Sequence, residues 1–166
     1  MATYLKDLSE FNPATIPNAK GMKAGVVVSD YSPEITYRLL DGCIRALLRA
    51  GVKEKDISVI HVPGAFELPS GAQMLALAEK PDVIICLGCV IKGETKHDEY
   101  INNSVSNGIT QLSLMLKKPV IYGVLTPNNL KQAKDRAGGK HGNKGVEAAV
   151  TAVKMVSLRK KLKIKK

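Results

Sequence analysis

The sequence lacks any apolar run of the roughly 18 residues that a membrane-spanning helix requires. Its first residues, MATYLKDLSEFNPATIPNAKG, also lack the apolar segment of a secretory signal. With 166 residues, of which 45% are hydrophobic and 24% charged, the chain has the composition of one globular domain. We therefore expect a single cytoplasmic domain over residues 1–166 with no membrane partner, in which Pro13 and Pro17 mark residues 1–22 as an N-terminal arm.

Cysteine is scarce, and the odd count of three argues against a disulfide framework. Cys86 and Cys89 have the C-x-x-C spacing, but they lie inside the run VIICLGCVI, which is typical of a strand. Side chains three residues apart on a strand point to opposite faces, whereas a redox pair or a zinc site needs both sulfurs on one side. We expect buried structural cysteines.

Positive charge is in excess, with a formal net charge of +10, and it is concentrated at the C-terminus. Seven of the 25 lysines and arginines lie within residues 154–166, which contain no acid and no aromatic residue. A platform on which nucleic-acid bases stack would need aromatic residues among these charges. We therefore expect no nucleic-acid partner and interpret residues 154–166 as the solvated basic end of the last helix, where cations suit the helix dipole.

After residue 22, short β-branched apolar runs alternate with helical patterns. The strand-like runs cover residues 23–29, 81–91 and 119–126, and a further run begins at residue 57 and breaks at Pro63 and Gly64. The helical patterns cover residues 33–52, 67–80, 98–118, 128–139 and 143–162. Such alternation predicts a parallel sheet whose right-handed crossovers place helices on both faces. The expected fold is an α/β three-layer sandwich with a four-stranded parallel sheet of the doubly wound, flavodoxin-like type.

Ligands of open parallel sheets bind beyond the carboxyl ends of the strands. In this sequence those ends are SDYSPEIT, HVPGAFELP, CVIKGETKHDEY and GVLTPNN, so we expect the four segments to converge on one edge. Tyr31 could stack on a flat heterocycle, Phe66 adds an aromatic wall and Glu67 a carboxylate, and His97 can transfer protons at neutral pH. The alternatives are a packing role for Tyr31, a helix-start acid at Glu67 and an incidental histidine.

Two segments suit an anion. GETK places backbone donors beside Thr95 near a helix start. KDRAGGKHGNKG places Arg136, Lys140, His141 and Lys144 among four glycines, which let the backbone approach an anion, and arginine binds phosphate with two hydrogen bonds. The alternative is a flexible basic loop.

Nucleotide-binding and hydrolase motifs are missing: there is no G-x-G-x-x-G, Walker loop or G-x-S-x-G, and no residue cluster has metal-ligand spacing. The residues thus predict a site without metal or cofactor, suited to acid–base chemistry on a flat ring and a phosphorylated compound. They leave the reaction open.

Four segments, VPGAFELP, GCVIKGETKHDEYI, PVIYGVLTPNNLKQAKDRAG and KHGNKGVEAA, together resemble the 6,7-dimethyl-8-ribityllumazine synthase family in order and spacing. The resemblance extends from about Lys23 to Val156. It implies a transferase of riboflavin biosynthesis that condenses 5-amino-6-ribitylamino-uracil with 3,4-dihydroxy-2-butanone 4-phosphate. The products are the lumazine, phosphate and water, and no metal or organic cofactor takes part.

The resemblance also implies residue roles. Tyr31 stacks on the pyrimidine ring, His97 transfers protons, and Arg136 from a neighbouring subunit binds the phosphate. The other substrate-binding residues that it implies are Ala65, Phe66, Glu67, Val90, Ile91, Glu94, Thr95, Lys144 and, from the adjacent subunit, Tyr122. Tyr31 stands where the family usually has Phe or Trp, and Ser32 stands where Asn is common.

Homo-oligomers built from pentamers are a further implication, because pockets of the family lie between neighbouring subunits. Some members close into a 60-subunit shell, and the short loop GGKHGNKG resembles the shell-forming type, so we expect a shell with riboflavin synthase as a partner. The alternatives are an archaeal-type riboflavin synthase relative, a non-catalytic flavin-binding protein and, resting on the basic tail, a nucleic-acid binder.

Overall fold

The computed structural model describes residue 7 and residues 9–164. Outside the described residues lie residues 1–6 and 8 of the predicted arm and Lys165 and Lys166 of the predicted basic end. Four strands form the main sheet: β1 Ala24–Ser29, β2 Ile57–Val62, β3 Val83–Cys89 and β4 Val120–Leu125. Five helices accompany them: α1 Pro33–Arg49, α2 Leu68–Glu79, α3 His97–Leu116, α4 Leu130–Asp135 and α5 Lys144–Lys161.

The sheet is parallel throughout and has the strand order β2-β1-β3-β4. Val28 of β1 lies opposite His61 of β2 on one side and opposite Leu87 of β3 on the other. Every residue of β1 and β3 is buried, as expected for central strands covered on both faces. The predicted doubly wound α/β fold is confirmed.

Two layers of helices cover the sheet. Helices α1 and α5 pack with Val26 and Val28 of β1 into one core cluster, and α2 and α3 pack with Val27 into a second. The buried stripe of α1 consists of residues at helical spacing, Ile35, Leu39, Cys43 and Leu47. Burying each large aliphatic side chain of this kind contributes about 2 kcal/mol to stability.

The segment after α4 differs from the prediction. The helical pattern was expected to continue to residue 139, but α4 ends at Asp135 and a small antiparallel hairpin follows, with β5 Ala137–Gly139 and β6 Gly142–Asn143. Gly138 and Gly142 have φ angles of 99° and 79°, the left-handed region that glycine tolerates and a right-handed helix excludes. The glycines therefore build a turn here instead of a helix end.

The two ends of the chain follow the prediction in part. Ala19 and Met22, at the end of the predicted arm, are buried in the core beneath α1, so this stretch belongs to the domain body. Phe11 lies further out, with the guanidinium carbon of Arg49 5.2 Å from its ring centroid. At the other end Lys160 and Lys161 are exposed in the last turn of α5, as a solvated basic end requires.

All three cysteines are free and buried, as predicted. Burial raises the pKa of the Cys43 and Cys86 thiols to about 12, so both remain protonated at neutral pH. Within the part of the chain that the structure describes, none of the helices is long and apolar enough to cross a bilayer.

Helices α1 and α5 approach each other closely at the N-terminus of α5. Asn143 caps that helix, because its side-chain oxygen accepts hydrogen bonds from the N–H groups of Gly145 (2.8 Å) and Val146 (3.3 Å). Its side-chain amide donates to the carbonyl of Arg38 in α1 at 2.9 Å. A Cβ atom at Gly145 would lie 1.9 Å from the carbonyl oxygen of Leu39, so this contact requires glycine.

The substitution Gly145→Ala should therefore destabilise the domain. The new methyl group meets backbone atoms, which can move only if α1 and α5 separate, and we expect a loss of about 3 kcal/mol in the free energy of unfolding. Urea denaturation at one fixed protein concentration measures it. Gly93→Ala is the matched control, because a Cβ there meets nothing within 4 Å. Equal stability of the two variants would contradict the prediction.

Candidate active site

A pocket of about 690 Å³ opens at the carboxyl edge of the sheet, between the segments that follow β1, β2 and β3. This carboxyl-edge pocket lies where the strand order reverses: the chain runs from β1 to β2 on one side and places β3 on the other. The predicted site residues that line it are Tyr31, Ala65, Phe66, Glu67, Val90, Ile91, Thr95 and His97.

The segment after β1 supplies Tyr31. The N–H of Asp30 donates to the carbonyl of Val62 (2.8 Å), and the N–H of Tyr31 donates to the carbonyl of Pro63 (3.1 Å). Ser32 then has a left-handed backbone, with φ 59° and ψ 57°, and α1 begins at the next residue. The Tyr31 side chain is 75% exposed at the pocket and offers a ring face to a ligand.

The segment after β2 forms the opposite wall. Residues Ala65–Glu67 make a short 3-10 helix that leads into α2. Ala65 is buried in the wall, whereas the Phe66 side chain is 55% exposed. The Glu67 carboxylate accepts a hydrogen bond from the N–H of Gly64 at 3.0 Å. A carboxylate accepts at both oxygens, so this bond leaves Glu67 capacity for the hydroxyl groups of a ligand.

The segment after β3 is supported by β4. The N–H of Val90 donates to the carbonyl of Leu125 (2.8 Å), and the N–H of Lys92 donates to the carbonyl of Pro127 (2.9 Å). The fourth strand end therefore lies behind the third, and its residues are not among those that line the carboxyl-edge pocket. Three of the four predicted segments form the walls, and the fourth holds one of them in place.

Helix α3 begins at the pocket with His97, whose side chain is exposed. The backbone N–H of His97 lies 3.4 Å from the hydroxyl oxygen of Thr95. The N-terminus of this 20-residue helix carries a partial positive charge that favours an anion beside Thr95. A histidine at such a place can transfer protons to a ligand in the pocket.

Seven residues that line the pocket were not among the predicted site residues: Ser32, Gly64, Cys89, Lys92, Gly93, Asp98 and Ile101. Ile101 could have been found, because it lies four residues after His97 on the same face of α3. Lys92 and Asp98 flank the predicted GETKH segment, but no residue pattern distinguishes a pocket-lining charge from a solvated one.

Cys89 also borders the pocket. Burial raises the pKa of its thiol to about 12, and the Glu34 carboxylate acts in the same direction. The thiol stays protonated at neutral pH, so Cys89 contributes an apolar wall and not a nucleophile.

Four predicted site residues do not line the carboxyl-edge pocket of this chain: Glu94, Tyr122, Arg136 and Lys144. Glu94 is exposed in the segment between β3 and α3. Tyr122 is part of β4, packs against the core cluster of α2 and α3, and has a pKa that burial raises above its ordinary value. Arg136 and Lys144 belong to the hairpin region, on either side of β5 and β6.

Arg136 and Lys144 meet at one carboxylate. The Arg136 guanidinium lies 2.7 Å from Glu147, and the Lys144 ammonium lies 3.2 Å from the second oxygen of the same side chain. Arg136 also donates to the carbonyl of His141 at 2.6 Å. The two cations share the Glu147 carboxylate, and an arginine side chain can also bind a phosphate group with two hydrogen bonds. Among the described residues, no group of three or more His, Cys, Asp or Glu side chains could hold a metal ion.

Comparison with known proteins agrees with these motifs. The sequence model described as 6,7-dimethyl-8-ribityllumazine synthase matches residues 21–160. The chain is 50% identical over 157 residues to the 6,7-dimethyl-8-ribityllumazine synthase of Cytophaga hutchinsonii, covering 95% of this chain and 98% of the relative. It is 47% identical to that of Parabacteroides distasonis, with the same coverage, and 51% identical over 140 residues to that of Syntrophus aciditrophicus, covering 84% of this chain and 91% of the relative.

A family match over most of the chain, together with relatives of this identity and coverage, leaves one conclusion: the chain belongs to the 6,7-dimethyl-8-ribityllumazine synthase family.

Proposed function

We propose that this chain catalyses the condensation of 5-amino-6-ribitylamino-uracil with 3,4-dihydroxy-2-butanone 4-phosphate in riboflavin biosynthesis, giving 6,7-dimethyl-8-ribityllumazine, phosphate and water. Family membership supports the reaction. The observation that carries it is the convergence of Tyr31, Phe66 and His97 on one pocket at the carboxyl edge of the sheet. An aromatic wall for a flat ring and a proton-transfer group thus lie together.

The pyrimidine is the substrate that fits the aromatic part of the pocket. Tyr31 stacks on the ring, while Val90 and Ile91 contact its edge. Glu67 binds the ribityl hydroxyls with its remaining acceptor capacity. Holding both reactants in one pocket converts a bimolecular step into a unimolecular one, which is a large source of acceleration.

The chemistry then needs proton transfers and an anion site. The pyrimidine amine attacks the ketone and forms an imine with loss of one water, and phosphate then leaves by elimination. The ribitylamino nitrogen attacks the remaining carbonyl, and ring closure with loss of a second water completes the lumazine. His97 transfers protons during these steps. Glu94 and Thr95 lie in the loop on the phosphate side, and Arg136 with Lys144 stabilises the phosphate as it departs. Arg136 and Lys144 do not line the pocket of their own chain. This supports the proposal that they come from a neighbouring copy.

Assembly completes the site in this proposal. The layer of α2 and α3 leaves large apolar side chains exposed in the single chain, namely Met74, Leu77, Leu114 and Met115. Exposed apolar groups of this kind favour a protein interface. We propose a homo-oligomer built from pentamers, in which the neighbouring subunit also contributes Tyr122 to the pocket. The pentamers assemble further into a 60-subunit shell in the cytoplasm, with riboflavin synthase as a partner. Neither the archaeal-type riboflavin synthase nor an inactive flavin-binding protein is favoured by the family match.

The purified protein, given both substrates and no added metal, should form the lumazine, which absorbance follows. His97→Ala should lower kcat about 100-fold, because proton transfer is lost. Arg136→Ala should raise the KM of the phosphorylated ketone about tenfold and lower kcat, because the anion loses a bidentate partner. Arg45→Ala, which removes an exposed side chain of α1, is the matched control for Arg136→Ala and should retain activity. Wild-type kinetics in both His97→Ala and Arg136→Ala would contradict the assigned roles.

A complementation experiment tests whether Arg136 comes from the neighbour. His97→Ala and Arg136→Ala proteins are mixed in equal amounts, dissociated and reassembled together. Random assembly places an intact His97 next to an intact Arg136 at about one quarter of the interfaces, so activity should return to about that fraction.

Each variant reassembled alone is the control and should keep only its own low activity, well below that of the mixture. Absence of recovery in the mixture, at a particle mass that matches the wild type, would place both residues in one chain. The particle mass measured on the same samples also distinguishes pentamers from the 60-subunit shell.

A further inference from the structure

A second polar cluster lies beside the carboxyl-edge pocket, and the reaction described above does not use it. One oxygen of the Asp30 carboxylate lies 2.7 Å from Nδ1 of His61 and 2.9 Å from the hydroxyl of Tyr37. The rings of Tyr37 and His61 also touch edge to face, with centroids 5.6 Å apart. We call these three residues the Asp30 cluster.

The cluster joins the three elements that lead into the pocket. Asp30 follows β1 and immediately precedes Tyr31. His61 is in β2, three residues before Gly64 of the opposite wall, and Tyr37 is in the second turn of α1. Each member therefore lies within a few residues of a pocket wall, although none of the three lines the pocket.

The hydrogen bonds have a fixed direction. An ionised carboxylate accepts only, so Nδ1 of His61 carries the proton and donates, as does the Tyr37 hydroxyl. The two bonds lower the pKa of Asp30 below its ordinary value, and the carboxylate raises the pKa of Tyr37. Asp30 therefore remains an acceptor throughout the neutral range, and the cluster persists there.

The backbone beside Asp30 needs such support. The N–H of Asp30 donates to Val62, the last residue of β2, and the N–H of Tyr31 donates to Pro63, the residue after it. Successive N–H groups of a regular strand point to opposite sides, so the chain leaves the strand at this point. Ser32 follows in a left-handed conformation, which is unfavourable for a residue other than glycine. The bends on either side of Tyr31 would relax unless neighbouring contacts hold them.

We infer that the Asp30 cluster is a positioning device for Tyr31, which fixes the aromatic wall against the opposite wall and thereby sets the affinity of the pocket for the flat ring of its ligand. The inference deepens the proposed function and rests on it. Asp30, His61 and Tyr37 act through Tyr31 and touch no substrate. They should affect the pyrimidine substrate and the lumazine product, and leave the phosphorylated ketone unaffected.

The test measures the binding of 6,7-dimethyl-8-ribityllumazine by its own fluorescence, and the KM of each substrate, in four variants. His61→Leu removes one bond to Asp30 and should weaken lumazine binding and raise the pyrimidine KM about fivefold. Asp30→Ala removes both bonds and should weaken lumazine binding and raise the pyrimidine KM about tenfold. Tyr37→Phe keeps its ring contact and should change either value by at most about twofold.

His61→Asn is the decisive variant. Its amide nitrogen occupies the position of Nδ1 and can still donate to Asp30, so we expect binding within about twofold of the wild type. Asp41→Ala, which removes an exposed ion pair with Arg45 elsewhere on α1, is the matched control. In every variant the KM of the phosphorylated ketone, the thermal unfolding midpoint and the particle mass should remain close to the wild-type values.

The outcomes separate this inference from the proposed function. If the wild-type protein binds the lumazine but does not form it, the proposed function is refuted. The lumazine affinities of the variants then still test the positioning role of the Asp30 cluster. Wild-type lumazine affinity in His61→Leu and Asp30→Ala overturns the inference, and so does a loss in His61→Asn equal to that in His61→Leu. Equal changes in the KM of both substrates would show a general distortion of the site and would also overturn the inference. A wild-type protein that binds no lumazine would overturn it as well.

Discussion

The position of β1 between β2 and β3 is the constraint on which the rest of the structure depends. Its central residues, Val26 to Val28, are completely buried, and they pair with β2 on one side and β3 on the other. The chain must therefore cross from one side of β1 to the other after β2. That reversal separates the loops at the carboxyl edge and opens the pocket there. This strand order positions the two aromatic walls and the start of α3, with His97, around the pocket.

The strands and long helices could be predicted because their signals are local. Ile35, Leu39, Cys43 and Leu47 recur at helical spacing, and the chain buries them together. The hairpin after α4 could not be predicted, because the same sequence continues a helical pattern and only the three-dimensional path gives Gly138 its positive φ. The pairing of Asp30 with His61 joins residues 31 positions apart, and no periodicity reports it. The pocket walls were predictable as strand ends, whereas the support of Val90 by Leu125 required the structure.

The site as one chain presents it is open, and this governs its electrostatics. Tyr31 and Phe66 are 75% and 55% exposed, so water reaches both aromatic walls. Charges in such a place act through a high dielectric and stabilise a departing anion weakly. A neighbouring copy that covers the pocket would exclude water and strengthen the same interactions without adding a new group. The proposed division of the site between two chains thus has a physical benefit.

Glu147 holds Arg136 and Lys144 in place before any second chain is present. Long flexible side chains of this type lose up to about 2 kcal/mol of rotamer entropy when they become fixed. Here Arg136 and Lys144 lose this rotamer entropy when the individual chain folds, before the subunits associate. Subunits that dock with these two cations already ordered lose less conformational freedom on association, so a given area of contact yields tighter assembly.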